Sequence, residues 1–267
     1  MEIFILPDAA AVGVAAAARI AAVVARQPEA VLGLSTGSSP LGTYEALAEL
    51  VRRGEVDLSR ASGFALDEYV GIAPDSPQSY AATIAHDVTE PLGLDPARVH
   101  VPPGSAEDLE AACEGYEQAI RAAGGVDVQI LGIGANGHIG FNEPTSSFAS
   151  RTRIKTLAPR TREDNARFFG GDLDAVPLHC ITQGLGTILD AKRLLLVAQG
   201  EAKADAIAKS VEGPLSAMVP GSALQLHPHA TVLLDEAAAS RLTLSDYYRF
   251  TADHLPPWQR VGGPSVL

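Results

Sequence analysis

The stretch VQILGIG, residues 128–134, is apolar at almost every position, and a second run, RLLLVAQ, covers residues 193–199. Strands that are buried on both faces, as in the middle of a parallel sheet, show this continuous pattern rather than alternation. Shorter apolar runs elsewhere complete a set of predicted strands. These are Glu2–Leu6, Ala30–Leu34, Gly63–Leu66, Val126–Ile133, Arg193–Ala198 and Ala230–Leu234.

Helix-like stretches separate these strands, and strand–helix alternation predicts an α/β fold: a mostly parallel sheet covered by helices on both faces. The chain has 267 residues without a long linker or an internal repeat, so we expect a single domain over 1–267. The Pro- and Gly-rich tail, 255–267, is expected to be loosely ordered. The predicted helical stretches are Asp8–Arg26, Pro40–Arg53, Gln78–Glu90, Ala106–Ala123, Leu178–Leu189, Glu201–Val211 and Leu244–His254.

Composition narrows the functional classes. Hydrophobic residues make up 46% of the chain, which is enough for a large core, and the formal net charge is −12. Nucleic-acid binding needs a basic surface, so we predict no nucleic-acid partner. Cys113 and Cys180 lie far apart, without the spacing of zinc ligands or a disulfide framework. This cysteine usage indicates a reducing compartment, and we predict a cytoplasmic protein.

The N-terminal segment MEIFILPDAA has no basic region of the kind that begins a signal peptide. The Ala-rich run that follows, residues 9–25, contains Arg19 and is short for a membrane span. We interpret it as a surface helix that packs through its small residues. No membrane association is predicted.

Ligands of open α/β sheets bind beyond the carboxyl ends of the strands, so the residues that follow each strand indicate the site. One strand is followed by the Gly/Ser turn STGSSP, residues 35–40, and the next by Asp67-Glu68-Tyr69. A third is followed by a loop that contains His138 and Glu143, and a fourth by Lys203. We expect these groups to converge on one crevice.

The STGSSP turn suits an anion, because free N–H groups at a helix N-terminus attract phosphate. In this interpretation Ser39 caps the helix, and Pro40 fits its first turn. An ordinary capped turn is the alternative. The neighbouring glycines of LGIGANG match a dinucleotide-binding pattern only loosely, because no helix follows them directly.

Asp67 stands at the end of a buried strand, where a carboxylate can have a raised pKa and act as a base. A helix-capping or solvated acid is the alternative. His138 is flanked by glycines that expose its ring, and Glu143 is close enough on the loop to orient it. A structural histidine remains the alternative here. No metal-ligand spacing is present, so we predict no metal ion.

A local cluster of basic residues lies in 151–167, which holds six basic and two acidic side chains in an otherwise acidic chain. A solvated charged face is one interpretation. Because the segment directly follows the His138 loop, we favour phosphate recognition by arginine. The part near 157–171, a basic stretch that ends in glycine, is predicted to be a mobile lid.

Together these motifs closely resemble the glucosamine-6-phosphate deaminase family. The matching strings include LGLSTGSSPLGTYEAL, FALDEYVGI, LGIGANGHIGFNEPTSSFASRTRIKT and TREDNARFF, and the match extends to about Asp235. The resemblance implies a modified Rossmann-like α/β fold. It also implies conversion of D-glucosamine 6-phosphate and water to D-fructose 6-phosphate and ammonia, in amino sugar catabolism, without a metal or organic cofactor.

The resemblance also assigns residues. It implies that Asp67 removes the C2 proton of the sugar and returns it at C1, while His138 opens the pyranose ring. Glu143 and Asn136 would hold the imidazole. The phosphate-binding residues carried over from the family are Ser38, Ser39, Arg167 and Lys203.

The string SSFASRTRIKT matches the allosteric members of the family. In those members N-acetylglucosamine 6-phosphate binds at a subunit interface, which implies a homo-oligomer here, a hexamer by analogy. The implied effector ligands are Ser146, Arg153, Lys155 and Thr156. Basic residues that only form ion pairs with acids across an interface are the alternative.

Two other functions are compatible with this fold class. A lactonase that acts on a phosphorylated sugar lactone would use the same fold, but it lacks the paired LDEYVG and FNEP motifs of this chain. A non-catalytic sugar-phosphate sensor would bind the ligand without turning it over, and the intact Asp67 and His138 argue against it.

Overall fold

The computed structural model describes residues 1–257 and 260, and its main body is a seven-stranded sheet in the order β1-β10-β9-β6-β2-β3-β5. All pairs in this sheet are parallel. A second sheet has three strands in the order β4-β8-β7. The strands are β1 Glu2–Leu6, β2 Val31–Leu34, β3 Ser62–Ala65, β4 Asp67–Tyr69, β5 Val99–His100, β6 Val128–Leu131, β7 Arg153–Thr156, β8 His179–Thr182, β9 Leu194–Ala198 and β10 Ala230–Asp235.

The predicted α/β architecture is confirmed. Each of the six predicted strands is present in the large sheet, with end positions that differ from the prediction by at most two residues. β6 and β9, the strands of the two apolar runs, are neighbours near the middle of the sheet and are buried along their whole length. Continuous apolar sequence therefore reports burial on both faces, because helices cover the sheet from above and below.

Helices connect the strands much as the sequence indicates. The α-helices are α1 Ala9–Arg26, α2 Ser38–Arg52, α3 Tyr80–Ile84, α4 Glu90–Leu92, α5 Leu109–Ala122, α6 Pro159–Asn165, α7 Leu185–Leu189, α8 Ala204–Val211 and α9 Ser245–Asp253. Short 3₁₀ turns cover Pro96–Arg98, Ala166–Phe169, Glu201–Lys203 and Pro220–Leu226, and a π-helical turn covers Ala85–Thr89.

One helix prediction is half wrong. The sequence predicts a helix over Leu178–Leu189, but the first part of this stretch is strand β8 and only Leu185–Leu189 forms a helix. β8 lies in the middle of the small antiparallel sheet, between β4 and β7. Pairing on both sides fixes His179–Thr182 as a strand, and these partners lie far away in the sequence.

The small sheet aligns residues from three separate segments. Thr182 in β8 is the register partner of both Asp67 in β4 and Arg153 in β7. The two predicted site segments around these residues therefore belong to one sheet. This arrangement is not visible from the periodicity of any one of the three short strands.

α1 passes a length and composition test for a membrane-spanning helix, and it packs against α2 and β10. Its contact with α2 is very close at Gly13, where an added Cβ would lie 2.5 Å from the carbonyl oxygen of Gly42. Small residues allow this approach, as expected from the Ala-rich sequence. One face of α1 is buried against the domain and the other is exposed, as at Val14, which agrees with the predicted surface helix.

Two large apolar cores occupy the two faces of the sheet. One packs α1 and α2 residues such as Ile20 and Leu47 against the sheet, and the other includes Leu185 and Ile207. A smaller cluster lies under α6 and contains Tyr69, Phe141, Leu157, Ala166, Val176 and Cys180. Most of the tail predicted to be loosely ordered, 255–267, lies outside the described residues.

Candidate active site

Loops at the carboxyl edge of the large sheet surround one cavity of about 600 Å³. The loops that follow β2, β3, β6 and β9 all contribute to its wall, which is the crevice position expected for an open α/β sheet. Six of the sequence-predicted residues line it: Ser38, Ser39, Asp67, His138, Arg167 and Lys203.

One wall of the cavity is the N-terminus of α2. The helix begins at Ser38, earlier than predicted, and its N-cap is Gly37, whose φ of 100° favours glycine. Ser39 therefore lies inside the first turn and is not the cap, which corrects the sequence prediction. No side chain caps the first N–H groups of this helix, so they can donate to an anion in the cavity.

Two cations approach the same cavity from other segments. Arg167 lies in the 3₁₀ turn after α6, with its guanidinium 4.6 Å from the centre of the Phe168 ring. Lys203 ends the 3₁₀ turn after β9, and burial together with the nearby charge of Arg167 lowers its pKa. Lys203 is partly buried and Arg167 is exposed. An anion between the two like charges would be stabilised by both of them.

The turn that carries Lys203 is fixed by Asp235 at the end of β10. The backbone N–H of Gly200 donates to both carboxylate oxygens of Asp235, at 3.0 and 3.1 Å. Gly200 itself has a φ of 85°, a conformation that favours glycine.

Asp67 is the first residue of β4 and is only 6% exposed. Burial, and next the negative charge of Glu68, raise the pKa of Asp67 from 3.8 to about 8, against a lowering effect of the Phe141 N–H. A carboxyl with this pKa gains and loses a proton near neutral pH. Asp67 thus has the raised pKa that the sequence analysis expects of a carboxyl at a strand end, and its role as a base stays a prediction.

The neighbouring Glu68 does not line the cavity, and its carboxylate binds backbone N–H groups instead. Its carboxylate accepts hydrogen bonds from the backbone N–H groups of Tyr69 at 2.8 Å, Tyr80 at 3.0 Å and Ala81 at 2.8 Å. It thereby fixes the start of α3 beside the cavity. Sequence analysis did not identify this contact, because Tyr80 and Ala81 lie twelve and thirteen residues away and only the fold brings the start of α3 to β4.

The His138 loop is a tight turn. The N–H of Gly134 donates to the His138 carbonyl oxygen at 2.9 Å, and an added Cβ on Gly134 would lie 2.2 Å from the imidazole ring. His138 Nδ1 is buried, forms no hydrogen bond and lies 3.8 Å from Glu143 Oε2. The imidazole therefore lines the cavity with the Glu143 carboxylate behind it.

Asn136 braces this pair. Its Nδ2 donates to Glu143 Oε2 at 2.7 Å, and its Oδ1 accepts from the His138 backbone N–H at 3.1 Å. The amide thus connects the carboxylate to the turn that carries the ring. Asn136 and Glu143 do not line the cavity itself.

Glu143 is buried, at 6% exposure, and remains a strong acid. Burial alone would raise its pKa, but the neighbouring His138 ring and the Thr161 hydroxyl lower it to about 2. Thr161 Oγ1 donates to Glu143 Oε1 at 2.5 Å, and the Ala158 N–H approaches the same oxygen at 3.4 Å. Sequence analysis missed Thr161, which has no local pattern to mark it.

The residues predicted to bind an effector lie outside the cavity lining. Arg153 donates to Asn142 Oδ1 at 2.9 Å and to Ser146 Oγ at 3.2 Å, so two of the four meet. Lys155 follows two residues later on β7, and Thr156, exposed, is the last residue of that strand.

Arg151, one of the six basic residues of 151–167, forms ion pairs within the chain. It donates through Nη2 to Glu117 and through Nη1 to Asp190, both at 2.6 Å. Glu117 also accepts from the Thr152 N–H at 2.9 Å, and burial, which would raise its pKa, is outweighed by such hydrogen bonds, so that the pKa is about 2. Arg151 is thus part of an ion-paired network within the chain and does not reach the cavity.

Among residues 1–257 and 260, no three His, Cys, Asp or Glu side chains are grouped so that they could hold a metal ion. Cys113 and Cys180 are both buried free thiols.

Comparison with known proteins gives consistent relatives. Residues 8–233 match the family model described as glucosamine-6-phosphate isomerases/6-phosphogluconolactonase. A glucosamine-6-phosphate deaminase of Streptomyces avermitilis is 58% identical over 98% of this chain and 100% of its own. One from Cutibacterium acnes is 61% identical over 94% of this chain and 96% of its own.

Solved structures agree with the fold. A monomeric glucosamine-6-phosphate deaminase superposes with a TM-score of 0.88 at 42% identity, covering 90% of this chain and 100% of that chain. A 6-phosphogluconolactonase from Thermotoga maritima gives a TM-score of 0.69 at 21% identity, covering 88% and 98%. At that identity the likeness extends to the fold alone.

Proposed function

The chain belongs to the glucosamine-6-phosphate isomerase/6-phosphogluconolactonase family, and on this premise we propose that it is a glucosamine-6-phosphate deaminase. The enzyme converts D-glucosamine 6-phosphate and water to D-fructose 6-phosphate and ammonia, in amino sugar catabolism. The observation that carries the proposal is the buried carboxyl of Asp67, with a pKa of about 8, on the same cavity as His138. A proton transfer at carbon needs such a base near neutral pH.

We assign the substrate phosphate to the cationic end of the cavity. The first turn of α2, with Ser38 and Ser39, offers uncapped N–H groups, while Arg167 and Lys203 supply charge. Binding of the phosphate, which does not react, supplies energy and orientation to the reacting end of the sugar.

Ring opening falls to His138. Its imidazole carries a proton between O1 and the ring oxygen O5, so that the cyclic sugar becomes the open-chain aldehyde. Glu143, ionised because its pKa is about 2, holds the ring through its negative charge. The Asn136 side chain is an amide and carries no charge, and its role is to hold the Glu143 carboxylate in place through a hydrogen bond.

Asp67 then takes the C2 proton of the aldehyde while O1 gains a proton from the ammonium group on C2, which gives an enolamine. The protonated Asp67 returns that proton at C1, and C2 becomes an imine. Water adds to C2 and ammonia leaves, so the ketose phosphate is formed. The sequence of steps balances without an oxidant or a reductant, because the hydrogen removed at C2 is restored at C1.

The deciding experiment measures ammonia release from glucosamine 6-phosphate, with N-acetylglucosamine 6-phosphate as the control substrate. We expect ammonia only from the free amine, and a loss of about 10²- to 10⁴-fold for Asp67→Asn, as is typical when a general base is removed. Hydrolysis of 6-phosphogluconolactone without ammonia release would instead establish the lactonase alternative, and tight ligand binding without turnover of either substrate would indicate a sensor.

We further propose that Ser146, Arg153, Lys155 and Thr156 form the regulatory anion site implied by the resemblance, for N-acetylglucosamine 6-phosphate at an interface of a homo-oligomer, a hexamer by analogy. The contact from Arg153 to Asn142, the residue before Glu143, supports a link to the catalytic loop. One relative of known structure is monomeric, so oligomer formation is not general in the family.

The effector hypothesis is tested by light scattering and by substrate saturation curves with and without the effector. Hyperbolic curves that the effector does not change, in a monomer, would refute it. A coupling of the usual size would change the substrate affinity about 5- to 150-fold.

A cytoplasmic location is supported by the two buried free thiols.

We assign mobility to the segment near 157–171 as a lid over the cavity. The support is that Thr161 and Arg167, both in this segment, line the cavity wall. Faster hydrogen exchange of this segment in the free enzyme than in the phosphate-bound enzyme is the expected result. Equal exchange rates would contradict it.

A further inference from the structure

Helix α6 is connected to the Glu143 carboxylate by a buried hydrogen bond. Thr161, in the middle of the helix, is 3% exposed and donates to Glu143 Oε1 at 2.5 Å. The other carboxylate oxygen, Oε2, accepts from Asn136 and faces the His138 ring. Each oxygen therefore has its own partner, and the orientation of the carboxylate depends on both.

The C-terminal end of α6 is hydrogen-bonded to β4, the strand that begins with the proposed base Asp67. Asn165 Nδ2 donates to the hydroxyl oxygen of Tyr69 at 3.0 Å, and Tyr69 follows Asp67 by two residues. Arg167, two residues beyond Asn165, lines the phosphate end of the cavity. A single short segment thus contacts Glu143, the carboxylate behind His138, and Tyr69, the neighbour of the Asp67 strand end, and it also carries Arg167 of the cavity wall.

We propose that Thr161 is a positioning residue for ring opening: its hydroxyl sets the Glu143 carboxylate so that Oε2 faces His138 when α6 is in its phosphate-bound position. The proposal rests on the deaminase function argued above. It gives α6 a role beyond covering the cavity, because a substrate phosphate held by Arg167 would stabilise the alignment of His138 at the other end of the sugar.

The test compares Thr161→Val, which keeps the shape and loses the hydroxyl, with Thr161→Ser, which keeps the hydroxyl. Loss of a hydrogen bond to a charged group predicts that kcat for glucosamine 6-phosphate falls about 10- to 100-fold in the Val variant. The Ser variant should retain at least about half of the wild-type kcat, since its hydroxyl can make the same bond.

A binding measurement separates positioning from a merely structural role. The acyclic analogue 2-amino-2-deoxyglucitol 6-phosphate has no ring to open, so its affinity reports the cavity and the phosphate grip alone. We expect wild type and both variants to bind it within about threefold of one another. A parallel loss of analogue affinity and kcat in the Val variant would show that the helix is displaced, and would overturn the proposal.

The coupling to phosphate is tested by combining Thr161→Val with Arg167→Met. If both act through the placement of α6, the double variant loses less kcat/KM than the product of the two single losses. Losses that simply multiply would refute the coupling. A Val variant with wild-type kcat would refute the role of Thr161 alone, whereas a wild type that releases no ammonia would refute the deaminase function itself.

Discussion

Replacing Asp67 with asparagine should stabilise the protein while it lowers turnover about 10²- to 10⁴-fold. Burial raises the pKa of Asp67 from 3.8 to about 8, so the native state resists ionisation that the unfolded chain undergoes freely. Between these two values the unfolded state binds fewer protons than the native state, and stability therefore falls as pH rises. The asparagine side chain of the variant is neutral at every pH, so the variant should not show this loss.

The magnitude follows from the two pKa values. The pKa of Asp67 is 3.8 in the unfolded chain and about 8 in the native state. Because of this difference, the contribution of Asp67 lowers the free energy of unfolding by about 3 to 4 kcal/mol between pH 5 and pH 8. The stability advantage of Asp67→Asn over the wild type should grow by that amount over the same interval. Any cost of burying an amide in this site does not depend on pH, so it cancels in the comparison.

Urea unfolding at pH 5 and pH 8, followed by circular dichroism, measures this difference. Asp75→Asn is the matched control, because Asp75 is an exposed carboxylate on the loop before α3. Its effect on the free energy of unfolding should be the same at both pH values. If the Asp67→Asn advantage changes by less than about 1 kcal/mol between them, the raised pKa and the reasoning built on it are refuted.

Three further predictions concern other parts of the molecule. Glu68→Gln removes the charge next to Asp67, so the acidic limb of the kcat/KM profile should move to lower pH, by on the order of one pH unit; an unmoved limb contradicts this. Lys203→Met should raise KM about 10- to 100-fold with little change in kcat, as measured by steady-state kinetics, and a selective loss of kcat would argue against a phosphate contact. Gly13→Ala should destabilise the fold by about 1 to 3 kcal/mol in urea unfolding, because its Cβ has no space, whereas Gly115→Ala, in an open position on α5, should be neutral or stabilising.

Six of the seven strands of the large sheet were predictable because their signals are local, whereas the edge strand β5, only two residues long, was not predicted. A strand such as β9 is five apolar residues in a row, and that composition alone indicates burial on both faces. The loops that follow such strands were predictable for the same reason, since the topology of an open sheet fixes where they meet. Asp67 and His138 thus emerged as neighbours of one cavity from their positions in the sequence.

The small sheet was not predictable, because its information is not local. β7 has the sequence RIKT, with charged residues that resemble a solvated segment, and β4 is three residues long. Both are strands only because β8 pairs with each of them. The Glu117 partner of Arg151 is likewise 34 residues away, so a charge pattern along the chain could not separate ion-paired arginines from free ones.

Thr161 illustrates the same limit within the site. It stands in a polar stretch, and only the fold places its hydroxyl on a carboxylate eighteen residues earlier. Glu68 was visible as a neighbour of Asp67, but its hydrogen bonds to the start of α3 depend on how that helix approaches β4. Positioning contacts of this kind become visible with tertiary structure.

A backbone hydrogen bond joins the two ends of the connection between β7 and β8. Directly after β7 ends, the Leu157 N–H donates to the Leu178 carbonyl oxygen at 2.9 Å, and the two strands run antiparallel from there. Everything between these two residues, including α6, is consequently an insertion whose ends stay together whatever its length. A segment from a relative could be grafted onto this base without disturbing the sheet, and natural variation can reshape this side of the cavity while Asp67 and Thr182 keep their register. The fold thus separates the sheet register that positions Asp67 from a segment whose length can change, while within that segment Thr161, Asn165 and Arg167 have to keep their places at the cavity.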